Sequence, residues 1–289
     1  MIERWIGGET LSHIWSVLRS LSLFAALGFL LAIVLLSAGI GATRTILTEA
    51  SVTGITIEFS GAGEAWALPA ASICTPLERK RPRTERGNGV CDRRGYSEQS
   101  GPLIIAWREG SRVVVQRTDQ EQLALTVEGV PGLADTSRIV VDRKTWRSLG
   151  ALTFTGFAVL GQPVDDGQTD LILNGEYEIR ERSPFLASTE TIRTGSLRRG
   201  ETASVVDLRS RVSALQFGVL TFNEEDRAIR VSMVSETGRI GMQLEFYGSV
   251  DPIVIAPSWV DRALVSPTIL ALVSGLVVVS SLLAIPRFR

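Results

Sequence analysis

Histidine is nearly absent from this sequence, because His13 is the single one among 289 residues. Catalysis by a serine or cysteine nucleophile usually needs a histidine base beside it. His13 lies in the N-terminal tail, far in sequence from both cysteines, and the HExxH, Walker A and GxSxG motifs are absent as well. The sequence therefore argues against the common hydrolases and against histidine-ligated zinc, and it predicts no cofactor.

The chain also lacks a strong net charge of either sign. The formal net charge is -1, so we have no reason to expect nucleic acid as a partner. Paired carboxylates can hydrolyse glycosides, but the spacing of the acidic residues singles out no pair of them. A carboxylate-based hydrolase therefore ranks third among our hypotheses for the function.

Charged residues are missing altogether from two long apolar runs, at residues 21–42 and 263–286. Each run is long enough to cross the roughly 30 Å hydrocarbon core of a bilayer as a helix. We predict two transmembrane helices, separated by a large domain over residues 43–262. Because proton and ion paths use ionisable groups within the membrane, this chain alone is not expected to form one.

The arginines near the two runs predict the orientation of the chain. Only Arg44 and Arg262 lie on the inner sides of the runs. The basic residues on the outer sides are Arg4, Arg19, Arg287 and Arg289. Since cytoplasmic flanks carry the excess of Arg and Lys, the tails at 1–20 and 287–289 are predicted to be cytoplasmic and the central domain periplasmic, in a bacterial inner membrane.

The N-terminal segment allows two interpretations. Apolar residues recur at helical spacing over residues 10–20, which predicts an amphipathic helix that lies at the membrane interface. The first run is then a permanent anchor. The alternative is a cleaved signal peptide, for which Ser37, Ala38 and Gly39 form a tolerable cleavage site.

Small residues recur at four-residue spacing in both runs, at Gly28, Ala32, Ala271 and Gly275. Such residues let helices approach closely in lipid, so we predict helix packing at these positions. The predicted partners are the lipid bilayer and either another membrane protein or a second copy of the chain.

Cys74 and Cys91 are the two cysteines, and both lie in the predicted periplasmic domain. Their spacing fits no common metal motif, and an oxidising compartment favours a disulfide between them. The loop between them holds the most concentrated charge in the chain, including Arg79, Lys80, Arg81, Arg83 and Arg86. We predict contact of this loop with an anionic partner, and a solvated loop is the alternative.

The central domain has the pattern of a mainly β fold. Apolar and polar residues alternate over many short segments separated by turn residues, which predicts an antiparallel sandwich or a partly open barrel flanked by the two transmembrane helices. We predict hairpins between Leu103–Trp107 and Arg112–Gln116 and at the Asn174-Gly175 dipeptide, and a meander of three strands over residues 216–246. We predict that residues 181–202 form either a boundary between two β subdomains or one long loop.

These features favour a non-catalytic accessory or scaffolding subunit of a bacterial inner-membrane or envelope complex. The alternative is a membrane-tethered periplasmic receptor for glycan, lipid or peptide. A concave pocket lined by Trp66, Trp107 or Trp146 would favour the receptor.

Overall fold

The computed structural model describes residues 27, 28, 31, 43–77, 90, 91, 95–118, 122–161, 171–182, 189–223, 228–246, 251–265, 270, 271, 273–275, 277 and 278. The chain divides into two compact units. One contains residues 43–180 and 193–256, and the other contains residues 1–42, 181–192 and 257–289. The first of these units holds most of the described strands.

Strands dominate the described residues. They are β1 (Arg44–Val52), β2 (Gly54–Phe59), β3 (Trp66–Pro76), β4 (Tyr96–Ile105), β5 (Arg112–Arg117), β6 (Leu123–Glu128), β7 (Ser137–Val141), β8 (Leu152–Leu160), β9 (Ile172–Arg182), β10 (Thr189–Leu197), β11 (Glu201–Asp207), β12 (Gln216–Asn223), β13 (Ala228–Ser235), β14 (Ile240–Phe246) and β15 (Ile253–Ile255). Two short helices are described, α1 (Arg143–Ser148) and α2 (Trp259–Val265).

The strands form one open sheet in the order β10-β9-β1-β13-β12-β8-β2-β5-β6-β7-β3-β4. A side branch carries β11, which pairs with β8 and β14, and β15 pairs with β14. The registers of these ladders are antiparallel, for example between β1 and β13 and between β11 and β14. The predicted class, a mainly antiparallel β domain, is confirmed.

Alternation of buried and more exposed residues along the strands places the core side chains on one face of the sheet. In β8 every second residue from Leu152 to Leu160 is buried, and in β13 the buried residues include Ile229, Val231 and Met233. One continuous apolar cluster collects such side chains from most of the strands. Each large aliphatic side chain that is fully buried contributes about 1.5–3 kcal/mol relative to exposure, so burial on one face of this sheet is the main source of stability.

The sheet branches at β8. Along one edge β8 pairs with β2, and along the other it pairs first with β12 up to Gly156 and then with β11 at Val159 and Leu160. Between these ladders the Ala158 carbonyl accepts a hydrogen bond of 3.2 Å from the Gln216 side-chain amide. Gln216 is fully buried. Because a buried carbonyl is costly without a partner, this side chain replaces the missing strand at the branch.

Both short helices have capped N-termini. The Asp142 side chain accepts a hydrogen bond of 2.8 Å from Thr145 N at the start of α1. At the start of α2, Ser258 N donates to the Asp261 carboxylate at 2.7 Å and Asp261 N donates to Ser258 Oγ at 3.2 Å. This reciprocal pair is a capping box, and it sets the start of the helix at Trp259.

The described part of the chain holds no helix that is both long enough and apolar enough to cross a membrane. Most of the two predicted spans, 21–42 and 263–286, lies outside the described residues. Apart from those in α2, the described residues of the two predicted spans are 27, 28, 31, 270, 271, 273–275, 277 and 278, and all of them are helical.

The predicted hairpin at Asn174-Gly175 is wrong, because both residues lie inside β9. Gly175 instead lies against β1: a Cβ on it would come within 2.9 Å of the Glu49 carbonyl oxygen and 3.0 Å of Ala50 Cα. The glycine is therefore required for the close approach of two strands, which is the other common reason for glycine inside a strand.

The predicted hairpin of Leu103–Trp107 with Arg112–Gln116 is also wrong in its pairing. Both strands exist, but β4 pairs with β3, whereas β5 pairs with β2 and β6. Backbone bonds explain the difference, since Gly110 N donates to the Phe59 carbonyl at 2.9 Å and Phe59 N donates to the Ser111 carbonyl at 2.8 Å. These bonds hold the turn against β2.

The predicted meander is partly correct. The β12–β13 ladder is present, but β14 pairs with β11 and β15 instead of β13. Ile240 and Met242 are buried as the alternation predicts, whereas Phe246 is 53% exposed.

Replacing Gly156 tests the branch at β8. A Cβ at this position would collide with the Glu58 carbonyl oxygen and would lie 3.0 Å from Phe59 Cα, and both are backbone atoms of a paired strand. We expect Gly156→Ala to lower the free energy of unfolding by about 1–3 kcal/mol, measured by chemical denaturation of the full chain in detergent. Gly150→Ala is the matched control, because a Cβ there meets nothing within 4 Å. Equal destabilisation by the two variants would contradict this account.

Candidate functional site

The predicted disulfide is confirmed. Cys74 and Cys91 are bonded, with their Cα atoms 5.6 Å apart. Both are buried, and with Val140 they form a small apolar cluster against which Tyr96 packs. In β3 the neighbouring residue, Ile73, pairs with Ile139 of the main core. Since successive residues of a strand point to opposite faces, the disulfide covers the face of the sheet opposite to that core.

Two groups of predicted site residues stay predictions. The basic residues Arg79, Lys80, Arg81, Arg83 and Arg86 fall in residues 78–89, outside the described residues. Of the residues predicted to pack the transmembrane helices, Gly28, Ala271 and Gly275 are helical and Ala32 is not described.

The three tryptophans considered for a ligand pocket lie in the core. Trp66, Trp107 and Trp146 are 1%, 3% and 5% exposed. Trp107 stacks on Phe59 with ring centroids 4.3 Å apart, and Trp66 meets Trp107 edge-on at 4.9 Å. Trp146 packs against Phe222. Buried rings of this kind stabilise the core, and they offer no open stacking face to a sugar or lipid.

Metal ligands do not cluster in the part of the chain that the structure describes. No group of three or more His, Cys, Asp or Glu side chains lies in a position to hold an ion there.

The region of the sheet where the chain arrives and departs is the candidate site. β1 begins at Arg44, whose backbone exchanges hydrogen bonds of 2.7 and 3.0 Å with Gly238. The Arg44 side chain donates to the carbonyl of Ile240, the first residue of β14, at 3.5 Å. In the next ladder Met242 pairs with Ile255, the last residue of β15. The first and last residues of the sheet domain therefore lie near each other, in a region that we call the tether end.

A tight turn between β11 and β12 lies at the tether end. Asp207 pairs with Ile240, and Leu208 N donates to the Arg239 carbonyl at 2.9 Å. We call residues 207–213 the β11–β12 turn. Its side chains Arg209 and Arg211 are exposed, and Val212 is 62% exposed.

The Asp207 carboxylate holds this turn together. One of its oxygens accepts hydrogen bonds from Arg209 N at 2.9 Å, Ser210 N at 2.8 Å and Ser210 Oγ at 3.0 Å. The bond from Ser210 N, followed by that from Arg209 N, holds the pKa of Asp207 below its usual value, and the Arg209 charge acts in the same direction. The turn is closed further by Arg211 N donating to the Asp207 carbonyl at 2.9 Å.

Sequence reasoning did not single out the tether end or the β11–β12 turn. Arg209 and Arg211 are two of many scattered arginines, and their position depends on the pairing of β11 with β14. The turn itself has a local signal, because Asp followed by Ser three residues later is typical of side-chain-stabilised turns.

Comparisons with protein-family models, with curated proteins and with solved structures find no match to this chain.

Removing the disulfide tests its structural contribution. By the chain-entropy relation we expect the double variant Cys74→Ser/Cys91→Ser to lose about 3 kcal/mol of unfolding free energy, measured by denaturant titration of the full chain. A reductant should destabilise the wild-type protein by a similar amount and leave the double variant unchanged. Equal stability of oxidised wild type and variant would show that the crosslink contributes nothing.

Proposed function

We propose that this chain is a non-catalytic accessory or scaffolding subunit of a bacterial inner-membrane or envelope complex. In this proposal two transmembrane helices hold a periplasmic β domain, a sandwich or partly open barrel, at the membrane surface. The observation that carries the proposal is the tether end, where both connections to the apolar runs lie together.

Short connections limit how far the domain can stand from the bilayer. β1 begins at Arg44, and the first apolar run ends at residue 42. After Ile255 only residues 256–258 precede α2, which leads into the second run. Because a residue extends the chain by at most about 3.3–3.6 Å, the first connection spans roughly 7 Å or less, and the second spans roughly 14 Å or less up to α2. A sheet held by two short connections in one region stays close to the membrane, as a docking subunit requires.

The disulfide supports the compartment. Disulfides persist in the periplasm and are rare in the bacterial cytosol, so the bond between Cys74 and Cys91 agrees with the orientation predicted from the arginines. The two arguments are independent, since one uses thiol chemistry and the other uses charge near the spans.

An exposed apolar pair gives a protein partner a place to bind. Phe217 and Val234 are cross-strand neighbours on β12 and β13 and are 44% and 36% exposed. The next residue in this row across the sheet, Leu47 of β1, pairs with Val234 and is half-buried. Adjacent exposed apolar side chains of this kind mark interaction surfaces more often than isolated ones do.

Thiol labelling tests the proposed compartment. We expect Ser232→Cys, at an exposed position of β13, to react with a membrane-impermeant maleimide in intact spheroplasts. Ser12→Cys, in the predicted cytoplasmic tail, should react only after permeabilisation. The opposite labelling pattern would place the domain in the cytosol and overturn the proposal.

A quantitative pull-down tests the accessory role. The full chain, purified in mild detergent, should retain a membrane protein at fixed stoichiometry. We expect Phe217→Ser to lower its recovery about tenfold, as truncation of an aromatic anchor in an interface does. Ile104→Ser is the matched control, because Ile104 is 72% exposed but faces Ala67 across its ladder. Recovery of a monomer with bound glycan or lipid and no protein would favour the receptor instead.

A further inference from the structure

The tether end carries exposed positive charge. Arg209 and Arg211 are exposed on the β11–β12 turn, and Arg239 is exposed on the connection between β13 and β14 that hydrogen-bonds to this turn. Within the described residues Arg211 and Arg239 form no ion pair with an acidic side chain. Two acidic residues lie at the same end, Asp207 and Glu236.

Those two acidic residues neutralise the patch only in part. The Asp207 carboxylate already accepts three hydrogen bonds inside the turn. Arg209 is the one arginine of the patch whose charge lowers the pKa of Asp207. Glu236 is exposed on the connection between β13 and β14. Three exposed arginines against these two carboxylates leave a net positive charge of one, and the buried Arg44 is counted separately.

The β11–β12 turn is ordered before any partner binds. Asp207 N donates to the Val212 carbonyl at 2.9 Å, and Arg211 has a φ of 61°, an uncommon conformation for a residue with a side chain. These bonds fix the backbone of the turn, in which Val212 is exposed next to the exposed Arg211. A surface that is already ordered loses little conformational entropy when it binds.

We propose that the β11–β12 turn contacts the anionic phospholipid headgroups of the bilayer in which the chain is anchored. Arg209 and Arg211 contact the phosphates, Val212 lies at the boundary between headgroups and acyl chains, and Arg239 adds positive charge beside them. This inference rests on the proposed function, because it takes the two apolar runs to be membrane spans.

Two observations select lipid as the partner. The first is position, since the turn lies close to the first and last residues of the sheet, from which the chain continues after a few residues into both apolar runs. The second is charge complementarity: arginines next to an exposed valine match a surface of phosphates over hydrocarbon. The contact would fix the tilt of the domain on the membrane.

The experiment uses the full chain in lipid nanodiscs, with a fluorophore on an introduced cysteine. Thr237→Cys places the probe at the tether end beside the turn, because Thr237 is exposed and precedes Gly238. Thr221→Cys is the control probe, since Thr221 is exposed and pairs with Arg230, towards the opposite end of β13. Lipids that carry a spin label on the headgroup quench a probe that lies close to the surface.

We expect strong quenching at Thr237→Cys in discs of phosphatidylcholine with about a third phosphatidylglycerol, and none at Thr221→Cys. In the Thr237→Cys background, the double substitution Arg209→Gln/Arg211→Gln should lower the quenching about tenfold or more, because each arginine near an anionic surface contributes to binding. Discs of phosphatidylcholine alone should give the same loss. Only backbone groups of these two arginines bond within the turn, so the variants should fold.

Three results would overturn the inference. Quenching that does not depend on lipid charge or on the two arginines would mean that the tethers alone keep this end near the membrane. Absence of quenching would place the turn away from the lipid. Loss of a co-purified protein in the double variant, with unchanged quenching, would assign the arginines to an acidic protein surface.

Failure of the proposed function is read out separately. If the chain does not float with liposomes after carbonate extraction, it is not an integral membrane protein, and the proposed function fails before the turn is tested. If it floats and quenching is absent, only the inference about the turn fails.

Discussion

The pairing of Arg44 with the start of β14 is the constraint that places the first strand of the sheet beside β14. The backbone of Arg44 is paired with Gly238, and its side chain is 6% exposed and bonded to the Ile240 carbonyl. A buried guanidinium is costly unless its donors are satisfied, so Arg44 acts here as a structural residue. Through this pairing the first strand meets β14, and β14 in turn holds β15.

The branch at β8 is the second constraint, because one strand must serve ladders that diverge. Gly156 lets β2 approach, and Gln216 supplies the hydrogen bond that no strand supplies. The branch brings β11 beside β14 and so carries the β11–β12 turn to the tether end. Packing at the centre of the sheet thus determines which charges lie beside the connections of the chain.

Local patterns predicted the strands and the disulfide, but the pairings depend on contacts between distant residues. Alternation in β8 and β13 follows from burial of one face, and it is readable in the sequence. Gly175 fits either a type I′ turn or a close strand approach, and only the position of β1 decides between them. The role of Arg211 could not be predicted for the same reason, since its turn reaches the tether end through the pairing of β11 with β14.

The exposed apolar pair and the tether end lie near each other, and this links the two proposals. Val234 pairs with Leu47, which is three residues after Arg44 on β1. A strand rises about 3.3 Å per residue, so the apolar row begins roughly 10 Å from the first residue of the sheet. If the chain spans the membrane as proposed, a partner in the same bilayer needs only a short segment outside the membrane to reach this row. If the β11–β12 turn fixes the tilt of the domain on the headgroups, it also fixes the height and direction at which Phe217 and Val234 are presented. Lipid contact and partner recognition would then be coupled through the hydrogen-bonded ladders of one sheet.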